Sequence, residues 1–536
     1  MLDTDFSLQA FDKPAGVTTH RSQSSNDPFF WGYAEYCSYK TKQVWQPVHR
    51  LDRDTSGIVL MAGNLATKRR LGILFAAHDQ RKIKKSYLLL TNHEVKLLSN
   101  KFALITETSQ GIQVESHIEK REKAFCTFEP KPENPVNAIT VFRLVQQQKP
   151  FSLWEAFPIT GKPHQIRLHA QALGIPILGD REHGGNPHAR VMLHAHEIQI
   201  SDPLLGNHEF RSAPPPLFHQ LEWLHDPIRS RLAHFIDRRR RLFPNSNCLR
   251  WIHTTESELA CDQFGTVLYF YWFGAEQPNA RVLEQVKFIS ETIGVRVWFL
   301  RWMQNRGRQL AHGGLWRSHE DLATRWQASE GKFMFEFRAD SGLSPGLFLD
   351  QRQNRVWLAE NCGNQRILNL FCYSGGFSVA AAHGGANQVV SVDLSKANLD
   401  WTRANLRLNG FSDSEKRFEF WPIDVREFLK RAQKNKRQFD VIICDPPSFS
   451  RGAGGVFRVE REIRSLITEI ATLLAPEGRI LFCTNYEKWS RLDFLSELEK
   501  SVAHQRLNVL PSPPQDWDFE LPGQEPILKS AILARN

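Results

Sequence analysis

From about residue 331 onward, apolar segments alternate strictly with segments of helical periodicity, and this alternation constrains the fold more than any other feature. We expect strands at Arg366–Phe371, Val389–Leu394, Phe418–Asp424, Phe439–Cys444 and Arg479–Thr484. Helices are expected between them, for instance over Ser395–Asn409, with Ser395 as N-cap and Gly410 as C-cap. Strands that alternate with helices predict a doubly wound parallel sheet.

The first 225 residues follow a different pattern, in which short apolar runs and turns succeed one another without regular alternation. Strand-like runs are found at Gly57–Ala62, Tyr87–Leu90, Ala138–Leu144 and Phe151–Pro158. Helical spacing is found at Ala66–His78 and Gln165–Leu173. This pattern favours a mixed, largely antiparallel α+β domain.

A linker and a small α+β domain are expected between these two regions. Pro214–Pro216 end the first domain, and Arg238–Arg241 form a basic run that is either a phosphate contact or a solvated helix end. Predicted strand, strand, helix and strand follow at Cys248–His253, Val267–Trp272, Pro278–Ile293 and Val295–Arg301. The chain of 536 residues is thus expected to be a multidomain α+β and α/β protein, with domains at 1–225, 248–330 and 331–536 and a basic linker at 226–247.

Composition limits the classes of partner and compartment. Lysine and arginine number 68 against 58 aspartates and glutamates, a net charge of +10 that favours a polyanionic partner only weakly. No run approaches the roughly 18 apolar residues that span a bilayer, and the acidic N-terminus is unlike a secretion signal. The 8 cysteines form no Cys-x-x-Cys pair, so we expect neither zinc nor disulfides and place the protein in the reducing cytoplasm.

The segment His49–Gly57 places one acid, Asp52, between Arg50 and Arg53 just before an apolar run. Nearby cations keep a carboxylate ionised, and an ionised carboxylate can act as a nucleophile or a base. The charges alone favour a salt-bridged surface turn, because such pairs are common on protein surfaces.

This segment resembles the signature of the RluA-type pseudouridine synthases, and four further blocks in the same order resemble that family. These blocks are Phe11–Val17, Lys85–Tyr87, Gly161–His169 with Gly174–Asp180, and Leu193–Ala195 with Ala213–Pro216. The resemblance implies a mixed sheet with the catalytic cleft across its middle, an RNA substrate and no cofactor.

The resemblance also implies roles for particular residues. Asp52 matches the catalytic acid, and whether it attacks the sugar or removes a proton stays open. Arg167 matches its cationic partner, and Tyr87 the residue that stacks on the base and relays a proton. Arg50 matches the residue that fills the gap left by the flipped base, a step that costs a few kcal/mol. His164 and Gln165 are expected to contact RNA.

A glycine-containing loop at the end of the first predicted α/β strand, Asn369–Phe377, is a candidate cofactor loop. Gly375 and Gly376 allow a ligand to approach the backbone closely. Asp393 follows 18 residues after Gly375, near the spacing at which an acid accepts ribose hydroxyls. This pattern alone is compatible with a nicotinamide site, although the Gly-x-Gly-x-x-Gly fingerprint is absent.

The fourth α/β strand ends in Asp445-Pro446-Pro447-Ser448-Phe449. With Gly346–Arg352 and Leu399–Gly410, this ending resembles the RlmK/RlmI group of 23S ribosomal RNA methyltransferases, whose catalytic domain is a Rossmann-like class I sheet preceded by an accessory domain. The resemblance implies S-adenosylmethionine as cofactor, catalytic roles for Asp445, Pro446 and Pro447, and RNA contacts by Arg352 and Phe449. The residues expected to hold the cofactor are Phe371, Tyr373, Gly375, Gly376, Asp393, Leu394, Asp424 and Asp445.

The methylated atom is predicted from the fifth α/β strand. Methylation of cytosine carbon 5 needs a reactive cysteine, and the position of that cysteine in RlmI-like enzymes falls on Asn485, two residues after Cys483. Asn485 instead matches the RlmK type, so we favour guanine ring nitrogen 7, whose lone pair needs only correct placement. The alternatives are 5-methylcytosine formation, or an RNA-binding ribosome-assembly factor with one decayed catalytic half.

No metal site is expected from the sequence. His164, His169 and His194 are interpreted as structural or RNA-facing histidines, because cysteine and acidic ligands are missing at metal-binding spacings.

Overall fold

The computed structural model describes residues 7–21, 31–77, 79, 81–94, 102–122, 124–303, 314–342, 344–412, 416–447, 449–452, 455–519 and 525–535, with backbone alone at 449–457. The chain divides into two compact units, Met1–Pro244 and Asn245–Asn536. The domain boundaries expected near residues 225, 247 and 330 are finer than this division and stay predictions. Among the described residues, no helix is both long enough and apolar enough to cross a membrane.

The first unit combines a large sheet with four α-helices among its described residues. Its strands are β1 (Leu8–Lys13), β2 (Gln46–Pro47), β3 (Ser56–Ala62), β4 (Ile83–Thr91), β5 (Leu104–Thr108), β6 (Gly111–Arg121), β7 (Ala124–Phe128), β8 (Ala138–Gln148), β9 (Phe151–Pro158), β10 (Leu193–Asp202) and β11 (Gly206–Arg211). Its helices are α1 (Tyr33–Thr41), α2 (Leu65–Ala77), α3 (Gln165–Ala172) and α4 (Pro227–Leu242).

The sheet of the first unit is mixed and largely antiparallel, as the sequence predicts. Its strands lie in the order β1-β3-β10-β4-β9-β8-β6-β5, and β2, β7 and β11 pair at its sides. The pairing of β3 with β10 is parallel, with Gly57 opposite Ala195. Gly57 has φ +109°, and a Cβ there would lie 2.2 Å from the Ala195 carbonyl oxygen. Only glycine therefore allows β3 to approach β10 so closely, directly after the Asp52 turn.

The second unit contains two sheets and two hairpins among its described residues. Its strands are β12 (Cys248–Ile252), β13 (Leu259–Phe264), β14 (Val267–Trp272), β15 (Val297–Trp302), β16 (Leu315–Arg317), β17 (Arg325–Glu330), β18 (Phe333–Arg338), β19 (Arg366–Leu370), β20 (Gln388–Val392), β21 (Phe418–Trp421), β22 (Phe439–Cys444), β23 (Phe449–Gly452), β24 (Gly455–Arg458), β25 (Leu474–Thr484), β26 (Leu507–Pro511) and β27 (Lys529–Arg535). Its helices are α5 (Ala280–Ile293), α6 (Arg352–Asn361), α7 (Gly376–His383), α8 (Lys396–Leu408), α9 (Val425–Lys434), α10 (Val459–Ala471) and α11 (Arg491–Val502).

The larger sheet of the second unit confirms the predicted doubly wound architecture. Its order is β21-β20-β19-β22-β25-β27-β26, and the pairings from β21 to β25 are parallel. The two strands β26 and β27, which pair antiparallel at one edge, were not expected from the sequence. The hairpin of β23 and β24, directly after the Asp445–Pro447 turn, was also missed.

Strands β20 and β21 end two or more residues earlier than the apolar pattern predicts, because polar residues at their ends have other partners. β20 stops at Val392, and the Asp393 carboxylate accepts the Ser395 amide. β21 stops at Trp421, and Asp424 becomes the N-cap of α9 by accepting the Arg426 amide. Ser395 caps α8 as predicted, accepting the Asn398 amide.

The smaller sheet of the second unit, β12-β13-β14-β15-β16, shares a buried core with the larger sheet. Phe264 and Phe299 belong to the same buried cluster as Phe337, Leu358 and Leu481. The rings of Phe264 and Phe337 lie 4.6 Å apart. β13 was missed because its centre holds two small residues, Ala260 and Cys261, followed by two polar ones, Asp262 and Gln263, although all six residues of the strand are buried.

Candidate active sites

The Asp52 turn is tied to a neighbouring loop through Thr19. The Thr19 hydroxyl donates a hydrogen bond to the Leu51 carbonyl at 3.0 Å and accepts one from the Leu51 amide at 3.1 Å. Within the turn, the Thr55 amide donates to the Asp52 carbonyl at 3.2 Å. These bonds fix the backbone from which the Asp52 carboxylate projects.

A second tie to the same turn is the ammonium group of Lys13, at the end of β1. The side chain is fully buried, and its Nζ donates to the carbonyl oxygens of Pro14, Val17 and Arg53 at 3.0, 2.7 and 3.1 Å. A buried ammonium needs acceptors for its three donors. Here the acceptors come from both loops, so one group holds them together.

Arg167, on α3, is the cation nearest to the Asp52 carboxylate. Its Nη1 lies 3.5 Å from Asp52 Oδ2. Its Nε and Nη2 donate to the two oxygens of the buried Asp180, both at 2.7 Å, and Nη2 also donates to Glu182 Oε2 at 2.8 Å. Burial alone would lower the pKa of the Arg167 guanidinium, but the hydrogen bonds and charge of Asp180, with the charge of Asp52, raise it above its ordinary value.

Two cavities meet at Asp52 and Arg167. One, of about 830 Å³, is lined by the 18–21 loop, the 50–55 turn and Glu182. The other, of about 420 Å³, is lined by Tyr87 and the 158–167 segment. Arg50 is exposed and borders both cavities, and its replacement of a flipped base stays a prediction.

Tyr87, on β4, borders the smaller cavity together with Asp52. Burial and the nearby charge of Asp52 raise the pKa of the Tyr87 phenol above its usual range. Tyr87 therefore keeps its proton, so its hydroxyl can donate a hydrogen bond and its ring can pack on a base.

Gln165 borders the smaller cavity, but its amide is engaged inside the domain. Its oxygen accepts from the Thr160 hydroxyl and the Lys162 amide, and its nitrogen donates to the Ile139 carbonyl and the Thr140 hydroxyl, at 2.8 to 3.0 Å. The side chain is 3% exposed. Gln165 therefore positions the segment before α3, whereas the sequence suggested an RNA contact.

The three histidines singled out in the sequence occupy different environments. His169 bonds to the hydroxyls of Ser116 and Thr140, and burial lowers its pKa to about 3. His194 is buried and bonds to Ser56 at 2.9 Å. His164 differs, because it borders both cavities and its Nδ1 lies 3.1 Å from His183 Nε2. Asp180, Glu182 and His183 were not predicted as site residues from the sequence, although Asp180 ends the family block Gly174–Asp180.

In the second unit, the predicted cofactor residues border one cavity of about 570 Å³, a size typical of small-molecule sites. Its lining includes Phe371, Tyr373, Gly376, Asp393, Leu394, Asp424, Asp445, Pro446, Pro447 and Asn485. Gly375 lies directly behind this wall, where its φ is +82° and a Cβ would lie 2.4 Å from Thr402 Cγ2. Phe371 and Tyr373 also have positive φ, at 56° and 49°, so the loop is tightly wound.

Asp393 is the best-supported acid of this cavity. It accepts hydrogen bonds from the Tyr373 amide at 2.9 Å, the Ser395 amide at 2.9 Å and the Asn398 side-chain amide at 3.0 Å. Three donors fix the carboxylate at the end of β20, in the position where an acid of a nucleotide-binding α/β sheet accepts ribose hydroxyls. The donors, the acid and the cavity size fit S-adenosylmethionine.

Asp445, at the end of β22, lies in a less favourable place for a negative charge. Its Oδ2 accepts from Gln351 Nε2 at 2.9 Å. Burial and the nearby charge of Asp350 raise the pKa of Asp445 to about 7. Asp350 and Gln351 also border the cavity, and neither was chosen from the sequence.

The two candidate methyl-transfer positions on β25 and the loop after it differ in exposure. Cys483 is fully buried, and its Sγ lies 3.7 Å from Gln351 Oε1. Burial and the charge of Asp445 raise the pKa of the Cys483 thiol well above its usual range, so it stays protonated. Asn485 is exposed and borders the cavity.

The two predicted RNA contacts of the second unit have different outcomes. Arg352 is 12% exposed and pairs with Asp516 at 2.8 Å and Asp518 at 3.1 Å, and it also donates to the Cys248 carbonyl. Arg352 is therefore an internal ion-pair residue, and the RNA contact predicted for it is not supported by the structure. The side chain of Phe449 lies outside the described residues.

Comparison with known families finds a match in each of the two units. Residues 240–520, more than half of the chain, match the model of the family described as S-adenosylmethionine-dependent methyltransferases. The chain belongs to this methyltransferase family. Residues 7–172 match the model of RNA pseudouridylate synthases, so the methyltransferase carries a pseudouridine synthase domain at its N-terminal side.

Several curated proteins resemble this methyltransferase. Ribosomal RNA large subunit methyltransferase K/L of Pseudomonas aeruginosa is 34% identical over 266 residues, which cover 46% of this chain and 33% of that protein. Ribosomal RNA large subunit methyltransferase K of Neisseria meningitidis serogroup B is 34% identical over 220 residues, 41% of this chain and 60% of that protein. The chain thus spans about a third of the K/L relatives. The solved human RNA pseudouridylate synthase domain containing 4 is 20% identical with a TM-score of 0.29, covering 40% of this chain and 84% of that one.

Proposed function

We propose that the protein is a bifunctional RNA-modifying enzyme, which isomerises a uridine to pseudouridine and methylates a guanine at ring nitrogen 7. The observation that carries the proposal is that each compact unit has cavities that collect its own predicted catalytic residues. The proposed substrate is 23S ribosomal RNA, because the similar curated proteins are named as large-subunit methyltransferases. The cytoplasmic location stays a prediction.

In the synthase unit, Asp52 is the proposed group that acts on the ribose, either as nucleophile or as base. Arg167 Nη1 lies 3.5 Å from its carboxylate and orients it. Tyr87 packs on the extruded base, and Arg50 takes the place that the base leaves in the stack. Isomerisation moves one glycosidic bond from nitrogen to carbon within the same nucleoside, so we propose no cofactor for this unit.

In the methyltransferase unit, S-adenosylmethionine supplies an electrophilic methyl group when bound. Asp393 holds the ribose hydroxyls, and Phe371, Tyr373 and Asp424 complete the binding wall. The rigid Pro446–Pro447 turn and Asn485 position the target base at the same cavity.

Guanine nitrogen 7 is favoured over cytosine carbon 5 by the state of the nearby thiol. Carbon 5 of cytosine is activated by a thiolate adding to the ring, whereas nitrogen 7 has a free lone pair. Cys483 is buried and protonated, and the position that faces the cavity is Asn485. The methylation therefore relies on placement rather than covalent activation.

The test uses ribosomal RNA from a strain that lacks the gene, with modified nucleosides identified by mass spectrometry after digestion. Asp52→Asn should abolish pseudouridine formation and leave methylation intact, whereas Glu107→Gln, at an exposed acid of β5 that lines neither synthase cavity, should change neither. Asp393→Asn should weaken methylation and leave pseudouridine formation intact. Asp400→Asn, on the exposed side of α8, is its matched control.

Each other outcome has a defined meaning. Loss of both modifications in one single variant would show that the sites are not independent. Detection of 5-methylcytosine would replace guanine by cytosine as the target. If the purified protein does not bind S-adenosylmethionine in calorimetry, the alternative function is favoured, an RNA-binding ribosome-assembly factor with one decayed catalytic half.

A further inference from the structure

Three metal-ligating atoms converge beside the synthase cleft, within the part of the chain that the structure describes. They are His164 Nδ1, Glu182 Oε2 and His183 Nε2. The two ring nitrogens lie 3.1 Å apart, and each lies 3.8 Å from the Glu182 oxygen. We propose that this triad binds a divalent transition-metal ion of the zinc class.

The separations of the three atoms are close to those of ligands that share one such ion. A point equidistant from the three atoms lies about 2.1 Å from each, which is the usual zinc–nitrogen and zinc–carboxylate distance. Two imidazoles and one carboxylate also suit zinc, cobalt or nickel, whereas magnesium and calcium prefer sets of oxygen ligands. Three protein ligands leave one coordination position open, as in sites that exchange water.

The local charge favours a cation. The Arg167 guanidinium is surrounded by three carboxylates, those of Asp52, Asp180 and Glu182, at 3.5, 2.7 and 2.8 Å. Within this hydrogen-bonded group one positive charge faces three negative charges, and Arg21, Arg50 and Arg53 lie farther along the same cleft. A divalent ion bound by Glu182 would balance this excess.

The protein holds the three ligands from two fixed segments. His164 is the N-cap of α3 in the left-handed conformation, with φ +56°, and its ring lies 5.7 Å from that of Phe125. Glu182 and His183 share one turn of 3₁₀ helix, Arg181–His183. Arg167 donates to Glu182 and so orients the carboxylate, as the partners of metal-binding carboxylates commonly do.

His164 and Glu182 also border the cleft that contains Asp52. A metal ion here would lie beside the RNA-facing wall and would fix the His164 side chain in one orientation. The competing explanation is a hydrogen-bonded histidine pair with a nearby glutamate and no ion.

The test measures cobalt binding to the full chain after removal of metals with a chelator. Cobalt should saturate at one ion per chain, with visible absorption bands of a low-coordinate site, and zinc should displace it while magnesium should not. Glu182→Gln and His183→Gln should each weaken cobalt binding at least about tenfold. His319→Gln, in the second unit, is the matched control and should bind as the unaltered protein does.

Two results would overturn the proposal. One is the absence of a visible cobalt spectrum at millimolar cobalt, and the other is equal cobalt affinity in the unaltered protein and in both ligand variants. Circular dichroism checks that the variants are folded. Glu182 is half exposed, so Glu182→Gln keeps the test valid even if His183→Gln does not fold.

Discussion

Asp52 and Asp445 are both carboxylates at the wall of a cavity, but their electrostatic surroundings are opposite. Asp52 is 28% exposed and faces the Arg167 guanidinium at 3.5 Å. Asp445 accepts from the neutral amide of Gln351 and lies near a second acid, Asp350, so its pKa is raised to about 7. The cation of the synthase cleft thus contacts the acid directly, whereas Arg355, a cation that borders the second cavity, is paired with Glu330 at 2.6 Å.

The largest expected effect comes from removing the cation of the synthase cleft. Arg167→Gln leaves the buried Asp180 unpaired, and this should lower the free energy of unfolding by about 3–5 kcal/mol and abolish pseudouridine formation. Arg143→Gln breaks an exposed ion pair with Glu155 and should cost less than about 1 kcal/mol. The free energy of unfolding of each variant is measured by denaturant titration, with hydrogen exchange of peptides from residues 1–244 as the readout. If the two variants lose the same free energy of unfolding, the buried Arg167–Asp180 pair contributes no more to stability than the exposed pair does.

The loop at the second cavity depends on a close approach of its backbone to Thr402 at Gly375, so the corresponding substitution there is a steric one. Gly375→Ala adds a Cβ that meets Thr402 and strains a residue with φ +82°, which should cost about 1–3 kcal/mol and weaken S-adenosylmethionine binding. Gly410→Ala has the same φ, +81°, but nothing within 4 Å of the new Cβ, so it isolates the backbone cost alone. Calorimetry with the cofactor should separate the two variants, and identical affinities would exclude crowding at Gly375.

The raised pKa of Asp445 predicts that both the stability of the second unit and its affinity for the cofactor depend on pH. Between about pH 4 and pH 7, folded Asp445 keeps a proton that the unfolded chain releases, so its contribution to stability falls as pH rises through this window and is constant above it. A bound sulfonium favours the ionised carboxylate, so cofactor affinity should increase from pH 6 to pH 8.

Binding isotherms at several pH values check this expectation. Asp445→Asn should remove the pH dependence, and Asp400→Asn should keep it. A pH dependence that survives in Asp445→Asn would assign the titration to another group.

The smallest effect is expected at the buried thiol. Cys483→Ala should leave the methylation rate within about twofold of the unaltered protein, because a protonated, buried thiol takes no part in the reaction. Asn485→Ala, at the exposed position, should lower the rate more. Single-turnover kinetics measures both, and loss of methylation in Cys483→Ala would favour a cytosine target.

Much of the fold follows from the sequence because its patterns are regular. The alternation after residue 331 predicts a parallel sheet, and β22 has the predicted bounds, Phe439–Cys444. Strands β26 and β27 were missed because their pairing joins segments that are far apart in sequence.

The sites divide in a similar way. Motif residues such as Asp52 and Arg167 come together as expected, since the family blocks fix their positions. Arg352 and Gln165 lie inside the protein instead, because a polar residue in a motif can serve the scaffold as well as the substrate. The His164–His183 contact could not be predicted, since it depends on the left-handed turn at His164.

The ammonium of Lys13 has a consequence for how the synthase loops can vary. Three carbonyl oxygens converge on one nitrogen atom, and no other side chain offers three donors from a single point. These bonds involve main-chain atoms, so they do not depend on which side chains Pro14, Val17 and Arg53 carry. Replacing Lys13 would therefore remove three connections beside Asp52 at once, whereas no single replacement at the three carbonyl positions removes any of these acceptors.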